Sequence, residues 1–210
     1  MLNTSYARRG IAVASHSLAA QSALAVLREG GNAIEATVAA ASTIAVVYPH
    51  MTGIGGDAFW LVAAHGEAVF AIDACGPAAV AASVDSYRGL HSIPPRGPLA
   101  ANTVAGTVAG WQLALEISRA RWGGKLPLPR LLEDSIWFAA NGIPATASQE
   151  ANTAAKRAEL ELQPGFAERF LSGGGVPRCG EMFVQGKLAS TLQRLARAGL
   201  NDFYRGELAQ

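Results

Sequence analysis

The run from Asn32 to Pro49 constrains the fold more than any other part of this 210-residue chain. Asn32 is a favoured N-cap, and Glu35 follows at the spacing that lets the two side chains reciprocate in a capping box. That spacing predicts a helix starting here. Its body, Ala36 to Val47, holds no charged residue, and a helix apolar on every side belongs inside a protein or inside a membrane. The run is too short to cross a hydrocarbon layer of about 30 Å, so burial is the expectation. Pro49 ends the helix and pushes Tyr48 toward extended geometry.

A glycine turn comes next, Gly53-Ile54-Gly55-Gly56-Asp57. Such a turn suits backbone at positive φ or close approach by another group. It is not a phosphate loop, because it follows a helix rather than a strand and lacks the Lys-Ser/Thr ending. It is either a purely structural turn or one that lines a substrate pocket. Ala58 to Ala64 and Val69 to Ala74 then flank His65-Gly66-Glu67-Ala68 as a hairpin. Both runs are apolar without alternation, which places them in the interior of a layered fold.

Elsewhere the chain reads mainly as helices with glycine stops. Gly10 to Ser15 is expected to be a short buried strand, and Ser15 or Ser17 to cap a helix running to about Glu29, closed by Gly30-Gly31. Val84 to Leu90 reads as a short helix, and Leu99 to Thr107 as a strand leading into a glycine turn. Helices are expected over Thr107 to Trp122, Leu128 to Asn141 and Gly186 to Ala198. Ser148 to Leu171 is mainly helical with a break at Pro164-Gly165. Arg119, Arg121, Glu159 and Glu161 fall on solvated helix faces. No repeat or linker divides the chain, so residues 1–210 read as one structural unit.

Composition narrows function by exclusion. Seventeen basic and sixteen acidic residues leave a net charge of +1, which gives no electrostatic case for nucleic acid or an anionic membrane. Charged residues make up only 16% against 50% hydrophobic. Either apolar surface is covered by another chain or by further sequence, or the alanine richness accounts for the shortfall. No apolar stretch after Arg8-Arg9 reads as a secretory signal, so the compartment expected is cytoplasmic, or periplasmic or secreted if a leader has been removed. Cys75 and Cys179 show no metal spacing and are either ordinary thiols or one disulfide. Apolar surroundings and Gly76 make Cys75 an inert thiol rather than a reactive one. His16, His50, His65 and His91 have no pairing that brings two onto one metal, although His50 stands beside the glycine turn. No serine or cysteine lies in a motif that specifies a base partner. The residues alone do not complete an active site.

The run His16 to Leu61 resembles the N-terminal signature of the γ-glutamyltranspeptidase family. The matching residues are Gly30, Gly31, Asn32, Ala33, Glu35 (usually aspartate), Pro49, His50, Gly53, Gly55 and Gly56. The likeness continues through Val104-Ala105-Gly106, Gly110, Asn141-Gly142-Ile143-Pro144 and Gly180-Glu181, and ends on Gly199 to Glu207. It implies an N-terminal nucleophile hydrolase of α/β (α+β) class, a four-layer αββα sandwich, of which this chain is the first part of the large subunit. Family members are made as precursors that cut themselves. Their nucleophile is a threonine at the new N-terminus of the small subunit, with its own α-amine as base. This chain begins Met1-Leu2, so the threonine is expected from a small-subunit partner encoded beyond Gln210. The chemistry implies a small-molecule γ-glutamyl or related amide substrate and no metal or organic cofactor.

The resemblance also marks substrate-binding positions, namely Gly55, Gly56, His50 and Asp73. Family transpeptidases carry an arginine in an R-x-x-A-P type segment that binds the α-carboxylate of the glutamyl group. Aligned on Pro77, that arginine is Asp73 here, which repels a carboxylate and forfeits a bidentate contact. Arg88 or Arg96 would substitute if the alignment slips. A divergent amidase or acylase is therefore one reading, and a non-catalytic binding or structural subunit from a truncated or split gene is the other.

Overall fold

A computed structural model describes residues 4–210. The elements in chain order are α1 (Ser17–Arg28), α2 (Ala33–Val47), β1 (Ala58–Val62), β2 (Phe70–Ala74), α3 (Thr107–Trp122) and α4 (Leu128–Asn141). They continue as β3 (Ile143–Pro144), α5 (Ala147–Leu160), α6 (Phe166–Phe170), β4 (Met182–Phe183), α7 (Gly186–Ala198) and α8 (Asp202–Arg205). The chain divides into two compact units, each assembled from separate stretches: residues 1–54, 111–142 and 184–210 form one, and residues 55–110 and 143–183 the other.

The first unit is helical. Helix α2 packs on both α1 and α4, and α4 packs on α7, which is why α2 has no polar side. Its buried polar residues are matched within the unit: the Thr43 hydroxyl donates to Ser22 Oγ at 3.2 Å, and the Ser42 hydroxyl donates to the Ala39 carbonyl at 3.1 Å. Val26, Val38, Val46, Val47, Leu131, Leu132, Leu192 and Leu195 are fully buried, and truncating a leucine there to alanine costs about 2–5 kcal/mol. Gln185, the residue before α7, donates from its side chain to the Val46 carbonyl at 2.8 Å. One of the carbonyls left without a helical partner at the end of α2 is thereby satisfied.

The capping box forms as the spacing predicts. Asn32 Oδ1 accepts from the N–H groups of Ile34 and Glu35, and Glu35 Oε2 accepts from Asn32 N at 2.8 Å. It also reaches further. Glu35 Oε1 accepts from Leu126 N at 2.7 Å, and Asn32 Nδ2 donates to Ser118 Oγ at 2.7 Å. Glu35 is only 2% exposed, so both of its oxygens are committed in a buried junction joining α2, the end of α3 and the loop before α4. Gly30, at φ +87°, closes α1 in the left-handed conformation that glycine adopts without strain.

The second unit holds the antiparallel hairpin β1–β2, with Trp60 opposite Ile72 and Phe59 opposite Asp73. A two-residue ribbon pairs β3 with β4, Ile143 opposite Phe183. Helix α5 begins at the N-cap Thr146, whose hydroxyl accepts from Gln149 N.

Several expectations are corrected. Gly10 to Ser15 belongs to no strand, because no neighbouring backbone supplies ladder bonds among the described residues. Leu99 to Thr107 contributes one turn of 3-10 helix and an isolated bridge from Thr103 to Ala78 rather than a strand. His16, not Ser15 or Ser17, caps α1, its Nδ1 accepting from Leu18 N at 3.2 Å. The hairpin is not wholly interior: Ile72 and Ala74 are buried, but Phe59 and Leu61 on the opposite face are 72% and 80% exposed. Successive strand residues face opposite sides, and residues of this chain cover one side only.

Candidate functional site

The open end of the β1–β2 hairpin gathers most of the residues that the sequence marks. Gly56 precedes β1, Asp73 lies near the end of β2, and the segment from Val104 to Thr107 runs alongside. The Gly56 carbonyl accepts three hydrogen bonds, from Gly106 N and Thr107 N at 2.9 Å and from the Thr107 hydroxyl at 2.8 Å. At about 0.5–1.5 kcal/mol net for each such bond, the turn is fixed by several kcal/mol.

Close approach is real here, but at other glycines than the turn suggests. A Cβ on Gly76 would stand 1.3 Å from the Val104 carbonyl oxygen, and one on Gly106 would stand 2.0 Å from that of Ala74. On Gly110 it would meet the Ala74 side chain at 2.7 Å. These three glycines let residues 74–77 and 104–110 pack backbone against backbone. Gly53, Gly55 and Gly56, by contrast, have no positive φ, and a Cβ on any of them meets nothing within 4 Å. The conformational reason expected for that glycine cluster is thus not what the fold uses, and Gly55, Gly56 and Asp57 are all exposed.

Two carboxylates and a thiol meet at this corner. Asp57 accepts from Gly76 N at 3.2 Å through Oδ1, and its Oδ2 lies 3.5 Å from Cys75 Sγ as acceptor for the thiol. Asp73 Oδ1 accepts from Cys75 N at 2.9 Å. The hydrogen bond to Asp57, the charge of Asp57, slight burial and the charge of Asp73 together push the Cys75 thiol above its ordinary pKa. Cys75 is therefore a poor thiolate because of carboxylates rather than the apolar surroundings expected for it. Both cysteines are free and exposed. No residue from Asp73 to Pro77 carries a positive charge. Arg88 pairs with Asp85 at 2.5 Å and Arg96 with Glu159 at 2.6 Å, so both candidate substitute arginines are engaged with an acid. Asp57 and its contact with Cys75 escape sequence reasoning, since the two residues meet only once the hairpin has formed.

His50 belongs to the helical unit. Its ring stacks edge-on against Tyr48 at 4.3 Å between centroids, and Tyr48 in turn lies 6.3 Å from His16. Burial holds both histidines below their ordinary pKa. Among the described residues no group of three or more histidine, cysteine or acidic side chains is placed to hold a metal ion, and no helix is long and apolar enough to cross a membrane.

The family model for gamma-glutamyltranspeptidase matches residues 19–210. The chain belongs to the gamma-glutamyltranspeptidase family. It is 56% identical over 210 residues to the oxamate amidohydrolase proenzyme of Klebsiella pneumoniae, covering all of this chain and 40% of that protein. It is 40% identical over 200 residues to the glutathione hydrolase-like YwrD proenzyme of Bacillus subtilis, covering 94% of this chain and 37% of that protein. The chain thus spans about two-fifths of the length of these curated relatives. Among solved structures, Helicobacter pylori gamma-glutamyltranspeptidase matches with a TM-score of 0.88 at 29% identity, over 99% of this chain and 59% of that chain. Cephalosporin acylase from Bacillus halodurans matches at 0.79 and 33% identity, over 91% of this chain and 36% of that chain. The mixed α/β fold is that of one part of a gamma-glutamyltranspeptidase, as the resemblance implies.

Proposed function

We propose that this chain is the large-subunit portion of a self-cleaving amidohydrolase acting on a short amide of the oxamate type. The observation that carries this reading is the 56% identity to an oxamate amidohydrolase proenzyme along the whole chain. The hairpin corner supports it. In a γ-glutamyl donor the α-carboxylate lies four bonds from the scissile carbonyl, and the family reads it with an arginine. In oxamate the carboxylate is bonded directly to that carbonyl, so a distant cation has nothing to bind. Residues 73–77 offer no cation, and Asp57 and Asp73 make the corner repel a remote carboxylate.

In this reading the rest of the precursor supplies the threonine nucleophile and becomes the partner subunit. The threonine oxygen adds to the amide carbonyl, the C–N bond breaks as ammonia takes a proton, and water hydrolyses the resulting ester, giving oxalate. Gly55, Gly56, Asp73 and the Asp57–Cys75 contact form one wall of the pocket. The exposed row of Phe59 and Leu61 is covered by the remaining precursor.

The test is intact-mass spectrometry on protein expressed from the complete gene, together with ammonia release from oxamate. Two fragments and stoichiometric ammonia are expected. A single uncut mass with no turnover would instead support a non-catalytic subunit.

A further inference from the structure

We propose that Arg8, Arg9 and Arg28 form a binding site for a small dianion bearing an apolar group, with phosphate monoesters as the ligand class. The three arginines line one cleft of about 230 Å3 in the helical unit, and its apolar lining is Ala7 with Leu24 and Leu27 of α1. The backbone holds this arrangement. Gly10, at φ +139°, lies against α1 so closely that a Cβ there would stand 3.0 Å from Leu27 Cδ1. Arg8 and Arg9 are thereby delivered to the end of α1 that carries Arg28.

None of the three has an ion-pair or hydrogen-bond partner among the described residues. The acid next to Arg28, Glu29, is engaged by Arg130, whose Nε donates to Glu29 Oε2 at 2.7 Å and whose NH2 group donates to the other oxygen. That bond holds the Glu29 carboxyl below its usual pKa. Three like charges therefore share one cleft without compensation. A bound dianion removes their mutual repulsion and accepts from guanidinium forks whose geometry matches phosphate oxygens. The leucines favour an ester over the free ion by burying its organic group. The site shares no residue with the hairpin corner, and the inference does not depend on the proposed amidase activity.

Isothermal titration calorimetry of the full-length protein at physiological salt tests it, with phenyl phosphate, inorganic phosphate and succinate as parallel ligands. Saturable binding of phenyl phosphate is expected, weaker binding of the other two, and a loss of roughly tenfold or more in the Arg8→Gln/Arg28→Gln variant. Arg119→Gln, on another helix, is expected to bind as the parent does. Absence of saturable binding overturns the proposal, including where carboxylates of the remaining precursor fill the cleft. An equal loss in Arg119→Gln, or tighter binding of succinate than of phenyl phosphate, overturns it as well. Melting curves for both variants establish that a lost signal is lost binding and not lost fold.

Discussion

The family signature divides into two regions of opposite character. The first, around Asn32 and Glu35, is buried, and its side-chain oxygens are used within the chain: Glu35 bridges Asn32 and Leu126, and Asn32 reaches Ser118. The second, from Gly53 to Asp57, is largely exposed and its glycines face open space, with the Gly56 carbonyl and the Asp57 carboxylate as its committed groups. The first region has a complete physical reason inside this chain. The second is anchored at Gly56 and Asp57, yet neither φ nor close contact requires a glycine at 53, 55 or 56, which is what a surface shaped for something other than its own chain looks like. A signature can thus mix scaffold and site, and burial separates the two where sequence similarity does not.

Substitutions can break or sharpen this contrast, beginning with the harshest. Gly76→Ala forces a Cβ to 1.3 Å from a backbone oxygen, and backbone cannot step aside as a side chain does. A loss of about 3 kcal/mol or more is expected in chemical denaturation, with much of the protein insoluble. Glu35→Ala leaves the Asn32 and Leu126 N–H groups without acceptors and is expected to cost about 2–3 kcal/mol. Glu35→Gln keeps one acceptor and loses less. If Glu35→Ala melted like the parent, the scaffold role of the first region would be lost.

A smaller effect follows from His16. Its Nδ1 can accept from Leu18 only while unprotonated, and burial lowers its pKa in the folded state. The unfolded chain, titrating near 6.5, takes the proton first. Stability is therefore full above that pH and declines as pH falls through it toward the folded value. His50 shifts in the same direction and adds to the trend. His16→Asn keeps a capping oxygen, so melting temperatures between pH 5 and 7 are expected to flatten, by about 1 kcal/mol or less at the acid end. The smallest stability change belongs to Gly55→Ala, within about 0.5 kcal/mol because the added methyl meets nothing. Its turnover in the full-length enzyme is nevertheless expected to drop. Unchanged turnover would return the turn to a purely structural reading.

Local signals were the legible ones. Helices over Thr107–Trp122, Leu128–Asn141 and Gly186–Ala198 fall where caps and glycine stops place them, because those signals act within a turn or two of the chain. The segment from Gly10 to Ser15 misled because an apolar β-prone run becomes a strand only beside a partner. Ribbon β3–β4 escaped because two residues carry no periodicity. Of the glycines that matter most, Gly106 could be matched to the family and Gly76 could not, and neither could be explained, since the backbone each one admits is distant in sequence. The Asp57–Cys75 contact was hidden for the same reason.

The specificity proposed for the hairpin corner is measured most directly by comparing kcat/KM for oxamate with that for a γ-glutamyl anilide, using the full-length enzyme. A corner without a cation loses a charge-assisted contact of about 1.5–3 kcal/mol to the glutamyl carboxylate, so oxamate is expected to lead by roughly 10- to 150-fold. A γ-glutamyl substrate turned over as well as oxamate or better would contradict the account, and would mean that a cation outside residues 73–77 reads the carboxylate.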